Sequence, residues 1–272
     1  MSALGRLAGD DRQPAHDGGL ALRRALVPRR WAWIAAVVVL TGCASVRPPG
    51  PPNAADPWER FNRQMFAFNE AVDEAVLAPV ARVYRDVVPS LVRTGVSNFF
   101  GNVGDIWSTA NHLLQGKVES GVHMGMRVLT NTLMGIGGLL DPATEFGLKR
   151  QSEDLGQTLG VWGFGPGPYL VLPLLGPSSL RDTVGMPFDR YATSSSVWWG
   201  GDAAAQSALQ LVNVRAELLA TTRLIGDVSL DKYAFVRDGY LARRLDQVYD
   251  GSPPLPKFED EGADPEPPKP GK

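Results

Sequence analysis

Apolar side chains recur at helical spacing along most of the chain, with charged and amide side chains on the other faces. The first such stripe follows three helix-start signals, which are Asp56 as N-cap, Pro57 at the first helical position and Glu59 where a capping box closes. Pro79 is expected to end this first helix and to open a second one, which stops at Pro89. The pattern therefore predicts two consecutive amphipathic helices at the start of the folded region.

The remaining periodic segments predict further helices, whereas strand signals are scarce. A third helix is expected to start at Ser90, a separate amphipathic helix to cover 105–115, and Gly116 suits the C-cap of that helix. Towards the carboxyl end the same spacing returns in two segments, 203–223 and 231–248. We therefore predict a single all-α domain over residues 56–249, whose helices are mostly shorter than a bilayer is thick.

Glycines interrupt a long apolar passage at 118–140. Gly135, Gly137 and Gly138 form the motif GIGG in its middle. Each glycine costs a helix interior about 1 kcal/mol relative to alanine, so the passage is expected to bend there as a hairpin or a hinged helix. Earlier in the same passage, a pair of glycines four residues apart matches the spacing of closely packed helices, although two glycines tolerated in an ordinary helix explain it equally well.

Residues 155–180 contain no charged side chain and are numerous enough to cross a bilayer. Glycine and proline occur throughout this segment, and each proline removes a backbone donor from a helix. A spanning helix is therefore excluded. The segment is expected to be irregular apolar backbone that protein covers or that lines a wet cavity.

The amino end has the features of an export signal. Arginines precede a ten-residue apolar run that ends in LTGC, so residues 1–42 are predicted to be a signal peptide. LTGC resembles the lipobox of bacterial lipoproteins, in which the cysteine, here Cys43, receives the acyl chains. Residues 43–55 then form a lipidated proline-rich tether, and residues 250–272 a disordered tail rich in proline and acidic residues. Cys43 is the chain's one cysteine, so no intramolecular disulfide is possible.

Little in the sequence points to catalysis. After the leader, the chain keeps only His112 and His123, with neither a nucleophile elbow nor a metal-ligand cluster. A buried, hydrogen-bonded role is expected for both histidines. We therefore predict a protein that is not an enzyme and has no cofactor, metal or catalytic residue. Loss of the basic leader leaves the chain acidic, which argues against nucleic acid as a partner.

The chain resembles the MlaA (VacJ) family of outer-membrane phospholipid-transport lipoproteins. The resemblance runs in order over residues 56–244. Its motifs are DPWERFNRQMFAFNEAV, VPSLVRTGVSNFFGNV, LLQGK, NTLMGIGGLLDPA, LGQTLGVWGFGPGPYLVLPLLGPSSLRD and YAFVRDGYLARR. It implies a ring of mostly short amphipathic helices, embedded in the inner leaflet of the outer membrane around a central channel.

The resemblance also implies a function and partners. Family members remove phospholipids that have strayed into the outer leaflet, lie beside trimeric porins, and pass the lipid to a periplasmic carrier of the MlaC type. This carrier serves an inner-membrane transporter driven by ATP. Ala44 after the cysteine favours sorting to the outer membrane. Two alternatives stay open, which are a structural lipoprotein that scaffolds porins and a membrane-anchored lipid hydrolase.

Candidate site residues follow from the same resemblance. The loop with Gly135, Gly137 and Gly138 would line the channel and gate it, whereas the alternative is a static helix break. Six polar residues placed among apolar ones are candidates for channel walls or for internal pairing, namely Asn62, Arg63, Asn69, Asn131, Arg181 and Asp182.

Overall fold

The structure is a computed structural model that describes residues 53–195 and 202–254. The predicted signal peptide, Cys43, nearly all of the tether and most of the acidic tail lie outside the described residues. Within them the chain is mostly helical, as expected from the periodicity, with one short β-hairpin. Its elements are α1 Glu59–Val72, a π-helical turn Asp73–Leu77, α2 Ala78–Val87, α3 Ser90–Leu114, α4 Val118–Leu133, α5 Pro142–Glu145, α6 Leu155–Val161, β1 Tyr169–Leu172, β2 Gly176–Ser179, α7 Leu180–Ser195, α8 Ala203–Val228 and α9 Lys232–Val248.

The predicted start of α1 was wrong by two residues. Trp58 occupies the N-cap position and makes no side-chain cap hydrogen bond. The carboxylate of Asp56 is buried instead, and it accepts hydrogen bonds from Asn62 Nδ2 at 2.7 Å and from the Tyr233 hydroxyl. Glu59 pairs with Arg63 at 2.8 Å. Tertiary contacts therefore engage the Asp56 carboxylate, which the sequence assigned to capping α1.

Pro79 does not separate two helices in the way the sequence suggested. The π-helical turn Asp73–Leu77 continues α1 directly into α2, and Pro79 lies in the first turn of α2. A proline within a continuous helix removes one backbone donor and crowds the carbonyl of the preceding turn, and the wider π-helical turn lies directly before α2, where that crowding occurs. The second helix therefore begins at Ala78, one residue before Pro79, and no break separates it from α1.

The two helices predicted after Pro89 are one. Helix α3 runs for 25 residues from Ser90 to Leu114 and includes 105–114. It packs along α4, and Gly121 of α4 lies so close to Leu113 that an added Cβ would stand 2.7 Å from the leucine side chain. This contact is the close helix approach that the glycine spacing of α4 suggested. Gly116 follows α3 with a φ of 75°, as a helix C-terminus requires.

The bend at GIGG is confirmed. Helix α4 ends at Leu133, and turns occupy residues 134–139 before the short helix α5. Asp141 caps α5 by accepting a hydrogen bond from the Thr144 amide at 3.2 Å. Ile136, Gly137 and Gly138 all have positive φ angles, which closes the loop tightly.

The uncharged segment 155–180 is more regular than expected. It starts with helix α6, which Asp154 caps through the Gln157 amide at 2.8 Å. It then forms the antiparallel hairpin, in which Tyr169 pairs with Ser179 and Leu172 with Gly176. Only the glycine- and proline-rich stretch between α6 and β1 fits the irregular prediction. Across the described ranges, no helix combines the length and apolarity that crossing a membrane requires.

The helices near the carboxyl end agree with the periodicity. Helix α8 extends five residues beyond the predicted 203–223, and α9 starts one residue after Asp231, which caps it by accepting from the Ala234 amide at 3.0 Å. Helix α7 was not predicted. It begins immediately after β2, so no loop marks its start in the sequence.

Candidate functional site

The described residues have an inverted distribution of polarity. On α4, Met126, Leu129 and Leu133 are 53%, 60% and 79% exposed, whereas Arg127 and Asn131 on the opposite face are 1% exposed. In a domain surrounded by water, the charged face of a helix lies outside. Helix α4 therefore presents its apolar face outward and its charged face inward.

The same inversion holds across the other described elements. Buried polar and charged residues outnumber buried apolar ones. The buried polar group includes Asp56, Asn62, Asn102, Asp105, Asn111, His112, Arg127, Asn131, Glu153, Gln157, Arg181, Asp182, Asn213 and Arg237. Large exposed apolar side chains occur on α2, α3, α4, α7 and α8. Interior charges that pair with one another, beneath an apolar exterior, are typical of proteins that work in lipid.

Arg127 is the centre of the first buried network. Its Nε donates to Asp105 Oδ2 at 3.0 Å, and its Nη2 donates to Asp141 Oδ2 at 2.5 Å. Its Nη1 donates to Thr144 Oγ1 at 2.9 Å and to the Leu148 carbonyl at 2.6 Å. Burial opposes ionisation of Asp141, but hydrogen bonds from Thr144 and Arg127 lower its pKa to about 2. This one guanidinium thus joins α3, α4 and the segment around α5.

The Arg127 network anchors the glycine loop at both ends. Asn131, before the loop, donates from Nδ2 to Asp141 Oδ1 at 2.9 Å, and its Oδ1 accepts from the Ala143 amide at 3.0 Å. Gly138 packs against Asn102, whose side chain would stand 2.8 Å from an added Cβ, whereas a Cβ on Gly137 would meet open space. The loop is therefore fixed at its ends and free on one side.

A second network joins α6, α7 and α9 through Arg244. Its Nη1 and Nη2 donate to Asp154 at 2.7 and 2.9 Å, while its Nε and Nη2 donate to Asp182 at 3.0 and 2.8 Å. Arg181 and the Tyr240 hydroxyl also donate to Asp182. Burial opposes ionisation of Asp182, but the hydrogen bonds from Arg244 and Tyr240 lower its pKa to about 2. Both carboxylates are therefore held ionised.

Asn62 and Asn69 hold the hairpin against α1. Asn62 Nδ2 donates to the Tyr169 carbonyl at 3.0 Å, and its Oδ1 accepts from the Val171 amide at 2.8 Å. Asn69 Nδ2 donates to the Leu172 carbonyl at 2.8 Å, and its Oδ1 accepts from the Leu174 amide at 2.7 Å. Each side-chain amide thus pairs with one backbone carbonyl and one backbone N–H of the hairpin, as a neighbouring strand would.

All six polar candidates from the sequence have protein partners in the structure. Arg63 pairs with Asp231 at 2.7 Å, and the other five belong to the contacts given above. The structure places Asn62, Arg63 and Asn69 on α1, Arg181 and Asp182 together on α7, and Asn131 apart from both groups. Of the two uses left open for these residues, the structure therefore shows internal pairing. A role in channel walls stays a prediction.

Sequence reasoning missed the two central cations, Arg127 and Arg244. Arg127 was detectable, because it is the one Lys or Arg inside the apolar passage at 118–140. Arg244 follows another arginine on a helix with many charges, so no local signal distinguished it. Its partner Asp154 lies 90 positions away in the chain.

A cavity of about 480 Å³ opens between α1, the π-helical turn, α2, β2, α8 and α9. Its walls combine charged side chains with apolar ones such as Phe66, Leu219 and Val236. The charged lining residues are Glu70, Asp73, Glu74, Arg82, Arg215, Arg223 and Lys232. The cavity therefore offers both kinds of surface that an amphipathic molecule needs.

The expectation of a buried histidine is confirmed for His112. This residue is 2% exposed, and its Nε2 lies 3.1 Å from the Gln151 carbonyl. For His123 the expectation was wrong, because this residue is only half-buried and its Nδ1 has no hydrogen-bond partner among the described residues. Within residues 53–195 and 202–254, no group of three or more His, Cys, Asp and Glu side chains is placed to hold a metal ion.

These features define a mostly helical protein whose described part pairs its charges inside and exposes apolar side chains outside. The family model for the MlaA lipoprotein matches residues 54–247, and the chain belongs to this family. The resemblance noted in the sequence is thereby confirmed.

Named relatives and a solved structure agree with this assignment. The "Intermembrane phospholipid transport system lipoprotein MlaA" of Escherichia coli (strain K12) is 37% identical over 210 residues, which cover 75% of this chain and 82% of the relative. The protein of the same name from Haemophilus influenzae is 30% identical over 221 residues, which cover 79% and 88%. A solved structure described as "Structural basis for maintenance of bacterial outer membrane lipid asymmetry" superposes with a TM-score of 0.63 at 37% identity, covering 71% of this chain and 98% of that one.

Proposed function

We propose that this chain is an outer-membrane lipoprotein that withdraws phospholipids from the outer leaflet and passes them towards the periplasm. Acyl chains on Cys43 anchor it, and the lipid moves through an amphipathic channel to a periplasmic carrier. The family assignment and the names of the E. coli and H. influenzae relatives support transport of phospholipid. The net effect is an outer membrane whose two leaflets stay different in composition.

The inverted polarity is the observation that carries this proposal. An amphipathic helix that lies in one leaflet buries its apolar face by about 5 to 10 Å. The exposed apolar face of α4 suits that position, while Arg127 and Asn131 stay paired within the protein. A ring of such helices in the inner leaflet requires no spanning helix.

The 480 Å³ cavity gives the lipid a polar path. Moving a charged headgroup through hydrocarbon costs several kcal/mol, because its water is lost without replacement. Charged side chains on the cavity walls replace part of that water, and apolar lining residues contact the rest of the lipid. We therefore propose that this cavity is part of the channel.

Partners complete the proposed route. A trimeric porin holds the chain in the outer membrane, and an MlaC-like carrier receives the lipid on the periplasmic side. The sequence has no nucleotide-binding motif, so the direction of transport comes from the lipid gradient or from proteins further along the route.

The function is tested in an E. coli strain that lacks its own MlaA. Expression of this chain is expected to lower outer-leaflet phospholipid towards the level of the parent strain, whereas the Cys43→Ser variant does not. Porin binding without any change in outer-leaflet phospholipid would contradict transport and favour the scaffold alternative. Fatty acid released from phospholipid by the purified protein would instead favour the hydrolase alternative.

The glycine loop is proposed to gate the channel, and Gly137→Ala tests this role. Gly137 has a φ of 68° and free space around its Cα, so alanine costs about 1 kcal/mol of strain and creates no clash. The variant is expected to fold but to retrieve outer-leaflet phospholipid more slowly, because the loop has fewer accessible conformations. Gly138→Ala is unsuitable, since its Cβ would push against Asn102.

Gly116→Ala is the matched control for the gate. Gly116 has a φ of 75° and equally free surroundings, but it lies at the end of α3, outside the loop. Equal rates of retrieval for the two variants, measured as outer-leaflet phospholipid over time, would remove the gating role.

A further inference from the structure

We propose that Arg82 and Arg223 bind the phosphodiester of a phospholipid in the 480 Å³ cavity, and that Glu74 binds the amine of an ethanolamine headgroup. This inference rests on the proposed function, because it assigns a headgroup to the lipid that the channel carries. The argument starts from which charges in the cavity are already paired.

Two of the four cations that line the cavity are neutralised by neighbouring acids. Arg215 makes a bidentate pair with Asp73, in which Nε and Nη2 each donate at 2.6 Å, and its Nη1 donates to Thr222 at 3.0 Å. Lys232 donates to Glu70. These two pairs leave little capacity for a ligand, and they also hold the π-helical turn and α1 against α8 and α9.

Three charged groups of the lining remain unpaired. Arg82 of α2, Arg223 of α8 and Glu74 of the π-helical turn have no hydrogen-bond or ion-pair partner among the residues that the structure describes. All three are exposed and line the same cavity. Their elements pack closely, because small side chains such as Ala78, Ala81 and Ala216 form the seam between α2 and α8. The cavity therefore presents two free cations and one free anion.

This set of charges matches the chemistry of a phospholipid headgroup. A guanidinium donates two parallel hydrogen bonds to phosphate oxygens, which makes arginine well suited to a phosphodiester. Two guanidinium groups from different helices can bind one phosphate from two sides. The apolar lining residues Phe66, Leu219 and Val236 then lie next to the glycerol and the start of the acyl chains.

Glu74 is the residue that determines which lipid headgroup the cavity binds more tightly. The amine of phosphatidylethanolamine provides a cation for this carboxylate, whereas the glycerol of phosphatidylglycerol provides only hydroxyls. With phosphatidylglycerol in the cavity, Glu74 stays without a counter-charge, next to a phosphate of the same sign. The cavity is therefore expected to prefer the zwitterionic lipid, although both lipids share the phosphodiester contact.

Binding measurements on the mature, lipidated chain test the assignment. The purified protein in detergent is titrated with fluorescent phosphatidylethanolamine, fluorescent phosphatidylglycerol and inorganic phosphate. The double variant R82Q/R223Q is expected to bind both lipids about tenfold more weakly, because charge-assisted hydrogen bonds to the phosphate are lost. The variant E74Q is expected to keep its affinity for phosphatidylglycerol and to lose its preference for phosphatidylethanolamine.

Arg85→Gln is the matched control, since Arg85 is an exposed arginine of the same helix that does not line the cavity. It is expected to bind both lipids as the unchanged protein does. Circular dichroism verifies that every variant keeps its helix content. Arg82, Arg223 and Glu74 are exposed and unpaired among the described residues, and Arg85 pairs only with the exposed Asp86 at 3.3 Å, so the fold is expected to persist.

The possible results distinguish a failure of the headgroup site from a failure of the proposed transport function. Unchanged affinity of R82Q/R223Q for both lipids would overturn the phosphate site, while transport by the chain would still stand. An unchanged lipid preference in E74Q would overturn the amine contact. Equal affinity for inorganic phosphate and for lipid would reassign the arginines to a free anion. Failure of the unchanged protein to bind any phospholipid would contradict the proposed function itself.

Discussion

Arg127→Met is expected to lower the free energy of unfolding by roughly 3 to 5 kcal/mol, the usual cost of breaking a buried ion pair on one side. The methionine fills a similar volume but leaves the carboxylates of Asp105 and Asp141 without their shared cation. It also leaves the Leu148 carbonyl without the donor that lies 2.6 Å away. Burial already raises the pKa of Asp105, despite the nearby Arg150 and Arg127. Loss of the Arg127 cation therefore destabilises the ionised form of Asp105 further.

The loss is measured by denaturant unfolding of the detergent-solubilised protein, followed by tryptophan fluorescence. Arg150→Gln is the control, because Arg150 contacts the same Asp105 at 3.0 Å but its side chain is 35% exposed. Water replaces much of that contact, so a loss of about 1 kcal/mol or less is expected. If both variants lost the same stability, burial of Arg127 would not be the reason for its importance.

The double variant Leu129→Asp, Leu133→Asp is expected to weaken membrane binding strongly without unfolding the protein. The two leucines are 60% and 79% exposed, so aspartate disturbs no internal packing. A carboxylate in hydrocarbon costs up to about 3 kcal/mol per residue, which is large compared with the total affinity of a surface helix. The effect is predicted because α4 is proposed to lie with this face in the leaflet.

Vesicle flotation of the mature chain with the Cys43→Ser exchange measures this binding without the acyl anchor. Ala242→Asp supplies the control for an added carboxylate, since it places one negative charge at an exposed position of α9 among charged neighbours. Flotation of the double variant to the same extent as this control would contradict a lipid-facing role for α4. A loss of helix content in the double variant would show that the two leucines are needed for the fold.

Local sequence rules succeeded where local interactions dominate. Helix α9 and its cap Asp231, the end of α3 at Gly116 and the bend after Leu133 agree with the periodicity and with the glycine positions. These features depend on backbone preferences within a few residues. The histidine expectation held for His112 for a similar reason, because its apolar neighbours indicated a buried position.

The same rules failed where distant residues compete for a side chain. The Asp56 carboxylate accepts a hydrogen bond from the Tyr233 hydroxyl and pairs with Arg237, and it does not cap α1. Helix α3 continues through glycines because α4 packs along it, and tertiary packing outweighs a helix-propensity cost of about 1 kcal/mol per glycine. The hairpin was missed since its first strand has only four residues and is completed by amides of α1.

For the candidate site, the sequence indicated the glycine loop and the polar residues but left the use of those residues open. Partners such as Arg215 and Asp73 lie 142 positions apart, so no spacing rule connects them. The unpaired set of Arg82, Arg223 and Glu74 was invisible in the sequence for the same reason. A side chain is free only in relation to neighbours that folding brings close.

The sequence by itself determined the family, the helical class and the ends of α3 and α9, because each depends on motifs or on short-range periodicity, while export and lipidation stay predictions. The tertiary structure alone decided which face of each helix is turned inward. Periodicity separates an apolar face from a polar one but does not say which of them meets the surroundings. The contacts of Arg127 with Asp105 and Asp141 place the charged face of α4 inside, and that orientation supports the proposed position of its apolar face in lipid.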